Sequence, residues 1–152
     1  MSPHIRPLQE TDIDAVMQLH RELGWNPAFQ ADGTTLRQRL SLLIGEANAL
    51  LLVAEQDKQV VGYIHGEIIT YLLFAGREML ISEVFVKEQF RGQGVGSELV
   101  AAMEQEAARQ RCFRISVMNS RERESYHRNF YPSLGYNERS QVVNFIKRLD
   151  WG

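Results

Sequence analysis

Residues 84–97 read Val84-Phe85-Val86-Lys87-Glu88-Gln89-Phe90-Arg91-Gly92-Gln93-Gly94-Val95-Gly96-Ser97. A β-branched run ends here, an arginine follows, and alternating glycines open a pattern typical of an amphipathic helix. Glycine lets the backbone turn tightly and brings its N–H groups close to a ligand. A helix N-terminus adds unpaired N–H donors and a partial positive charge. The stretch therefore predicts a strand, a turn and a helix that together bind a diphosphate.

On both sides of this stretch, apolar periodicity predicts one mixed sheet covered by helices. The predicted strands are His4–Leu8, Leu50–Glu55, Val60–Thr70, Met79–Val86, Phe113–Met118 and Val142–Leu149, with a further extended segment from Tyr136. The predicted helices begin near Thr11, Thr34 or Thr35, Val95 and Arg123, and the last of them runs to Leu134 with a break at Pro132 or soon after. No linker or repeat interrupts this order, so we expect a single domain over residues 1–152.

Composition excludes several classes of protein. A net charge of −2 argues against a nucleic-acid binder, and no apolar run approaches the length of a membrane span. Cys112 is the one cysteine, which rules out an intrachain disulfide and is more typical of a buried small hydrophobe than of a nucleophile. The four histidines lack paired ligand spacing, so we expect no metal. A cytoplasmic location is the expectation.

Two familiar diphosphate motifs do not fit the glycine stretch. A Walker A loop needs four residues between its glycines and then Gly-Lys-Ser/Thr, which the chain lacks. A dinucleotide-binding turn needs Gly-x-Gly-x-x-Gly directly after a strand, and here Ser97 occupies the third glycine position. The acidic residue expected about 20 positions further on, where it would hold a ribose, is also missing.

A third pattern fits. The form Val-x-x-x-x-Arg-Gly-x-Gly-x-Gly is matched at Val86, Arg91, Gly92, Gly94 and Gly96. It resembles the acyl-CoA signature of the GNAT superfamily of N-acyltransferases. Residues Phe130 to Tyr136 resemble that family's second signature, Phe-Tyr-x-x-x-Gly-Phe/Tyr, and the order of elements fits as well. The resemblance covers nearly the whole chain and implies that acetyl-CoA is the acyl donor.

The resemblance implies a mixed, mostly antiparallel α/β sheet, splayed between its fourth and fifth strands and flanked by about four helices. Backbone N–H groups from Arg91 to Ser97 would bind the CoA diphosphate. Pantetheine would lie in the split and bond to main-chain groups of Val84, Phe85 and Val86, like an added strand. The N–H of Val86 would stabilise the oxyanion that forms on the thioester carbonyl.

The implied reaction is direct transfer of an acetyl group to a primary amine of a small molecule or peptide. A carboxylate can take the proton of the attacking amine. Glu83 is the first candidate, Glu67 and Glu78 are alternatives, and His65 or His127 could relay the proton. Tyr131 matches the tyrosine that often protonates the departing thiolate in this family.

Other parts of the site stay open. Where the family often has a pantetheine-binding asparagine, this chain has Glu124, and Asn119 or Asn129 could substitute for it. Tyr126 could flank the CoA tail or simply pack. The acceptor is expected at the loop Trp25–Gly33, the second helix and the link Tyr71–Gly76.

Two other functions and one assembly remain possible. The first alternative is a non-catalytic acyl-CoA sensor of the same fold, and the second is a nucleotide-binding regulatory domain. The last predicted strand, Val142–Leu149, could pair between subunits of a homodimer, because an exposed strand edge is a template for pairing.

Overall fold

The computed structural model describes residues 2–23 and 32–150 and divides the chain into two compact units, Met1–Met118 and Asn119–Gly152. The first unit contains the whole sheet. In chain order its elements are β1 His4–Pro7, α1 Ile13–Arg21, α2 Gly33–Ile44, β2 Ala49–Gln56, β3 Gln59–Thr70, β4 Arg77–Val86, α3 Val95–Arg109 and β5 Cys112–Val117, with single 3₁₀ turns at Glu10–Asp12 and Glu88–Phe90.

The sheet of the first unit has its strands side by side in chain order, from β1 to β5. The first four strands pair antiparallel with their neighbours, whereas β5 pairs parallel with β4. The parallel pair is possible because α3 returns the chain to the starting end of β4. The predicted mixed, mostly antiparallel sheet is therefore confirmed, and so is its βαβ unit.

Helices cover both faces of this sheet. On one face Val16 of α1 and Leu40 of α2 pack with Tyr63 of β3 and Phe85 of β4. On the other face α3 approaches so closely that a Cβ on Gly66 would lie 2.9 Å from the sulfur of Met103. Because the sheet is buried from both sides, its central strands carry fully buried side chains at successive positions, such as Val61 to Ile64 in β3.

The starts of the first two helices differ in detail from the prediction. Asp32, rather than Thr34 or Thr35, caps α2, because its Oδ1 accepts the N–H of Thr35 at 2.9 Å. A 3₁₀ turn precedes α1, and there Asp12 accepts the N–H of Gln9 at 2.8 Å. Asp32 caps α2 because its charged oxygen accepts the hydrogen bond and favours the positive helix end, whereas Asp12 is the third residue of the 3₁₀ turn and bonds back to the N-cap residue Gln9.

Two carboxylates hold Arg6 of β1 against the rest of the first unit. Its guanidinium donates to Asp12 at 2.7 and 2.9 Å and to Glu55 of β2 at 2.7 Å. The side chain of Asp12 is only 7% exposed. The hydrogen bonds from Arg6 therefore hold the pKa of Asp12 below its ordinary value.

We expect Asp12→Asn to lower the free energy of unfolding by about 2 kcal/mol at pH 7, because it weakens a largely buried ion pair. A lowered carboxyl pKa contributes stability that is present above the ordinary pKa of about 4 and is lost as the pH falls through the lowered value. The variant should accordingly lose less stability than the wild type between about pH 5 and pH 2. Urea unfolding across this range measures both effects, with exposed Asp150→Asn as the control. Equal acid sensitivity of Asp12→Asn and wild type would contradict the assignment.

The second unit contains α4 Glu124–His127 and α5 Phe130–Ser133. The sequence predicted a helix over Arg123–Leu134 that is broken at Pro132 or soon after, whereas the structure has two short helices and the break lies earlier, at Asn129. Asn129 adopts a left-handed conformation, with φ of 56°, and separates the two turns. Asparagine tolerates this conformation better than most residues, because its short polar side chain can bond locally.

The last predicted strand is also absent from the structure. Residues 136–150 form neither helix nor strand. Several apolar side chains there are exposed, including Phe145 at 90%. Alternating apolar residues give a segment the side-chain pattern of a strand, but a strand forms only where a partner satisfies its backbone groups.

Candidate functional site

The fourth and fifth strands separate part of the way along the sheet. Parallel pairing between β4 and β5 ends at Ile81 and Val117, whereas β4 continues to pair with β3 as far as Val86. One edge of β4 is therefore left without a strand partner from Ser82 to Val86 within the first unit. This is the split that the sequence resemblance implied.

Backbone direction decides which groups of β4 face that open edge. The N–H of Lys87 donates to Val61 of β3 at 2.8 Å. Because successive residues of a strand point their backbone groups to opposite sides, the N–H and C=O of Val84 and Val86 face away from β3. Those of Phe85 face β3, and its side chain is buried in the core. Phe85 thus cannot offer the main-chain contact that the resemblance implied for it.

A β-bulge lies where the two strands begin to separate. His65 pairs with Glu83 and Gly66 pairs with Ile81, so Ser82 has no residue opposite it on β3. The extra residue brings Ser82 and Glu83 to the open edge, and both are exposed. Bulges often redirect a side chain beside a functional site.

The glycine turn follows the open edge directly. Gly92 and Gly94 have φ of 73° and 86°, and Gly94 is the residue from which α3 begins. The N–H groups from Gly92 to Ser97 precede the first backbone hydrogen bond of α3, which runs from the N–H of Glu98 to Gly94 at 3.0 Å. The N–H of Arg91 was predicted to bind the diphosphate, but it donates to the carbonyl of Glu88 at 3.1 Å. The predicted N–H cluster therefore begins at Gly92.

The side chain of Arg91 braces the turn. Its Nε donates to the carbonyl of Val86 at 2.8 Å, and its guanidinium lies 5.5 Å from the centre of the Phe85 ring. Gln93 adds a second brace, because its side-chain amide donates to the carbonyl of Gln89 at 3.1 Å. Val95 is 1% exposed and anchors the first turn of α3 in the core. The turn is thus held in position before any ligand binds, and its free N–H groups point from a positive helix end.

The three candidate carboxylates have different surroundings. Glu78 is buried, receives a hydrogen bond from Arg114 at 2.6 Å and a second from Ser116. Those two bonds commit Glu78 to holding β5 against β4. Glu83 is exposed on the open edge of β4, and the side chain of Glu67 is 50% exposed on β3. Both remain available to a ligand.

The second unit holds the other predicted site residues. The Tyr131 ring packs against the rings of Phe130 and Tyr136, with centroid distances of 4.9 and 5.7 Å, and burial raises the pKa of Tyr131. Its hydroxyl therefore keeps its proton at neutral pH. Asn119 accepts a hydrogen bond from Ser125 at 3.2 Å, and the hydroxyl of Tyr126 donates to Glu138 at 3.1 Å.

The structure gives less information about the predicted acceptor loop, His127 and Cys112. Most of the predicted acceptor loop, including Trp25 and Phe29, lies outside the described residues. His127 stacks edge-on against Tyr126 in the second unit. Cys112 is half-buried, and burial raises the pKa of its thiol, which disfavours the thiolate. Over residues 2–23 and 32–150, no cluster of three metal-ligating side chains occurs, and no helix has the length and apolar character of a membrane span.

Sequence reasoning missed one arrangement at this site. His65, named there only as a possible relay, lies within hydrogen-bond distance of Ser82, which was not singled out at all. The register and bulge between β3 and β4 bring the two together, and neither can be read from one strand alone. Alternating polar residues at positions 65 and 67 of an otherwise apolar strand were the available signal.

Comparisons with known proteins agree with this geometry. Residues 47–138 match the family model described as an acetyltransferase (GNAT) domain. The chain is 26% identical to thialysine N-epsilon-acetyltransferase of Mus musculus, over 95% of this chain and 90% of that protein. It is 25% identical to aminoglycoside N(6')-acetyltransferase type 1 of Klebsiella aerogenes, over 97% and 98%.

The fold is also similar to that of solved structures. One of them is AAC(6')-Iy in complex with the bisubstrate analogue CoA-S-monomethyl-acetylneamine. It superposes with a TM-score of 0.82 and 19% sequence identity, over 98% of this chain and 100% of that chain. At that identity the likeness concerns the fold alone.

Proposed function

Because the chain belongs to the GNAT family of acetyltransferases and is an acetyl-CoA-dependent N-acetyltransferase, we propose that its acceptor is a primary amine of a small, positively charged molecule. We also propose that residues 1–152 act as one N-acetyltransferase domain. One observation carries the acetyl-CoA side of this site: the open edge of β4 leads directly into the N–H groups of the glycine turn.

The donor half of the proposal rests on hydrogen-bond donors. Val84 offers an outward N–H and C=O that suit an amide of pantetheine, which would add to β4 like a short strand, and the N–H of Val86 faces the same side. The N–H groups from Gly92 to Ser97 suit the diphosphate at the other end. Asn119 is proposed to take the place of the asparagine that the family often uses, and Tyr126 is proposed to flank the CoA tail.

The acceptor half rests on charge. Glu83 and Glu67 lie on the same face of the sheet, beside the place where the thioester would end, and attract an ammonium group. The relatives named above acetylate thialysine and aminoglycosides, which are cationic amines. We therefore place a small cationic amine before a peptide N-terminus as acceptor.

The proposed acetyl transfer needs one proton removed from the amine and one supplied to the departing thiolate. An alkylammonium group has a pKa of about 10 and must lose its proton before it can attack. Glu83 is the first candidate to receive that proton, and Glu67 is the second. The N–H of Val86 would donate to the oxyanion of the tetrahedral intermediate, and Tyr131 would protonate the departing thiolate.

The test is binding followed by turnover. Acetyl-CoA at about 100 times its dissociation constant should add about 2.7 kcal/mol of stability, which appears as a higher melting temperature. CoA release should then be measured with thialysine, neamine, an alkyl diamine and a peptide N-terminus. We expect the strongest shift with acetyl-CoA and the fastest CoA release with one of the small amines.

Other outcomes identify the alternatives. Binding of acetyl-CoA without CoA release from any amine would favour a non-catalytic sensor. A larger shift with NAD or ATP than with acetyl-CoA would favour a nucleotide-binding regulatory domain. No shift with any acyl-CoA would overturn the proposed function.

Location and assembly belong to the same proposal. We propose a cytoplasmic enzyme, because acetyl-CoA and a single free cysteine suit a reducing compartment. We also propose a homodimer, in which the exposed apolar side chains of residues 142–149 would be covered by a second copy. Sedimentation of the purified chain tests the dimer directly.

A further inference from the structure

Three polar side chains meet at the β4 bulge, on the face of the sheet that α1 and α2 cover. His65 and Glu67 are alternate residues of β3 and therefore share this face with Tyr63, which is part of the core there. Ser82 is the bulged residue of β4, at the start of its open edge. Acetyl-CoA is proposed to lie along the open edge of β4. The cluster connects that edge to the carboxylate of Glu67, one strand away on β3.

The distances form a connected chain. The Oγ of Ser82 lies 2.9 Å from Nδ1 of His65, and Nε2 of His65 lies 3.3 Å from Oε1 of Glu67. The imidazole is 12% exposed, whereas Ser82 and Glu67 reach solvent. Among the described residues, Nε2 has no aligned hydrogen-bond acceptor, although the Glu67 carboxylate is close. Charge attraction depends less on alignment, so this carboxylate is placed to stabilise a protonated ring.

The hydroxyl of Ser82 fits both protonation states of the ring. With a neutral imidazole, the hydroxyl donates to Nδ1 and Nε2 carries the proton. With an imidazolium, Nδ1–H donates to Oγ, and the hydroxyl turns to the backbone carbonyl of His65, which lies at 3.2 Å. A proton can therefore enter at Ser82 while Oγ of Ser82 and Nδ1 of His65 stay hydrogen-bonded to each other.

We propose that Ser82, His65 and Glu67 form a proton relay that removes the proton of the acceptor amine; this inference rests on the proposed function. The ammonium N–H bond breaks and its proton passes to Oγ of Ser82 as the Ser82 proton passes to Nδ1 of His65. The amine is left with a lone pair that attacks the thioester carbonyl. The imidazolium is stabilised by Glu67 and later returns its proton to solvent.

The relay distinguishes between the carboxylates named from sequence. Glu78 is occupied by Arg114 and Ser116, and Glu67 is the carboxylate that His65 connects to the β4 edge. Glu83 faces His65 across the strand pair, and there it holds the incoming ammonium group. The titratable groups that face the ring from β3 and β4 are therefore Glu67, Glu83 and Tyr63, while β2 places Leu51 opposite it.

The pH profile of turnover tests the relay. His65→Gln should lower kcat about 100-fold at pH 7, and the deficit should shrink about tenfold per pH unit as the free amine becomes available in solution. Ser82→Ala should show the same pH trend with a deficit of at least about tenfold. Ser82 is exposed, so this variant keeps the fold even if His65→Gln does not. Acetyl-CoA affinity should be unchanged in both.

Two control variants accompany the test, and separate results would overturn the relay and the proposed function. His4→Gln and Ser2→Ala make the same chemical changes at exposed positions in and just before β1, which β2 separates from β3, and should leave the profile unchanged. A deficit that stays constant with pH would assign His65 a structural role and overturn the relay. So would a wild-type profile in Ser82→Ala together with a pH-dependent deficit in Glu83→Gln. Absence of CoA release by the wild type would instead overturn the proposed function.

Discussion

Tyr131→Phe is expected to lower kcat about 100-fold while changing the dissociation constant of acetyl-CoA less than twofold. The ring stays between Phe130 and Tyr136, so packing in the second unit is preserved. Only the hydroxyl is lost, and burial raises its pKa, which keeps it protonated and ready to donate. A thiol has a pKa of about 8.5, so the departing sulfur is more stable as a thiol than as a thiolate at pH 7. A hydroxyl that gives it a proton therefore helps it to leave.

Steady-state kinetics with the fastest amine of the panel, together with calorimetric binding of acetyl-CoA, measures both quantities. Tyr136→Phe is the matched control, since it removes a neighbouring hydroxyl at a position where the family signature accepts either ring. It should leave kcat close to the wild-type value. Unchanged turnover in Tyr131→Phe would remove Tyr131 from the mechanism and leave it a packing residue.

Gly94→Ala is expected to weaken acetyl-CoA binding 10- to 100-fold, or about 1.4 to 2.8 kcal/mol. At φ of 86° the residue is in the left-handed region, where a side chain costs about 1–2 kcal/mol. The new methyl meets no heavy atom within 4 Å, so it creates no clash inside the protein. The effect arises because the turn relaxes and its N–H groups move away from the diphosphate.

Gly45→Ala is the matched control for this substitution. Gly45 ends α2 at φ of −96°, which any residue can adopt, and an added Cβ would lie 4.0 Å from the nearest atom. It should change neither binding nor stability appreciably. If Gly94→Ala lowers the melting temperature and still binds acetyl-CoA like the wild type, the turn connects β4 to α3 without holding the diphosphate.

Local patterns predicted most of the first unit correctly. The hairpin of β2 and β3, the strand β4 and the helix α3 each have a periodicity that can be read within one segment. The secondary structure of the second unit was predicted less well, because it depends on the conformation of single residues and on whether a partner strand is present. Asn129 interrupts one predicted helix, and residues 142–149 have the pattern of a strand but no partner strand in the part of the chain described.

The sequence by itself determined the glycine turn between β4 and α3 and the family to which the chain belongs. That was possible because glycine spacing and the start of a helix are properties of neighbouring residues. Only the tertiary structure decided which backbone groups of β4 are free, that Glu78 is committed to an ion pair, and that Ser82 meets His65. Strand register and the β4 bulge fix those relations, and they join residues that are far apart in the chain.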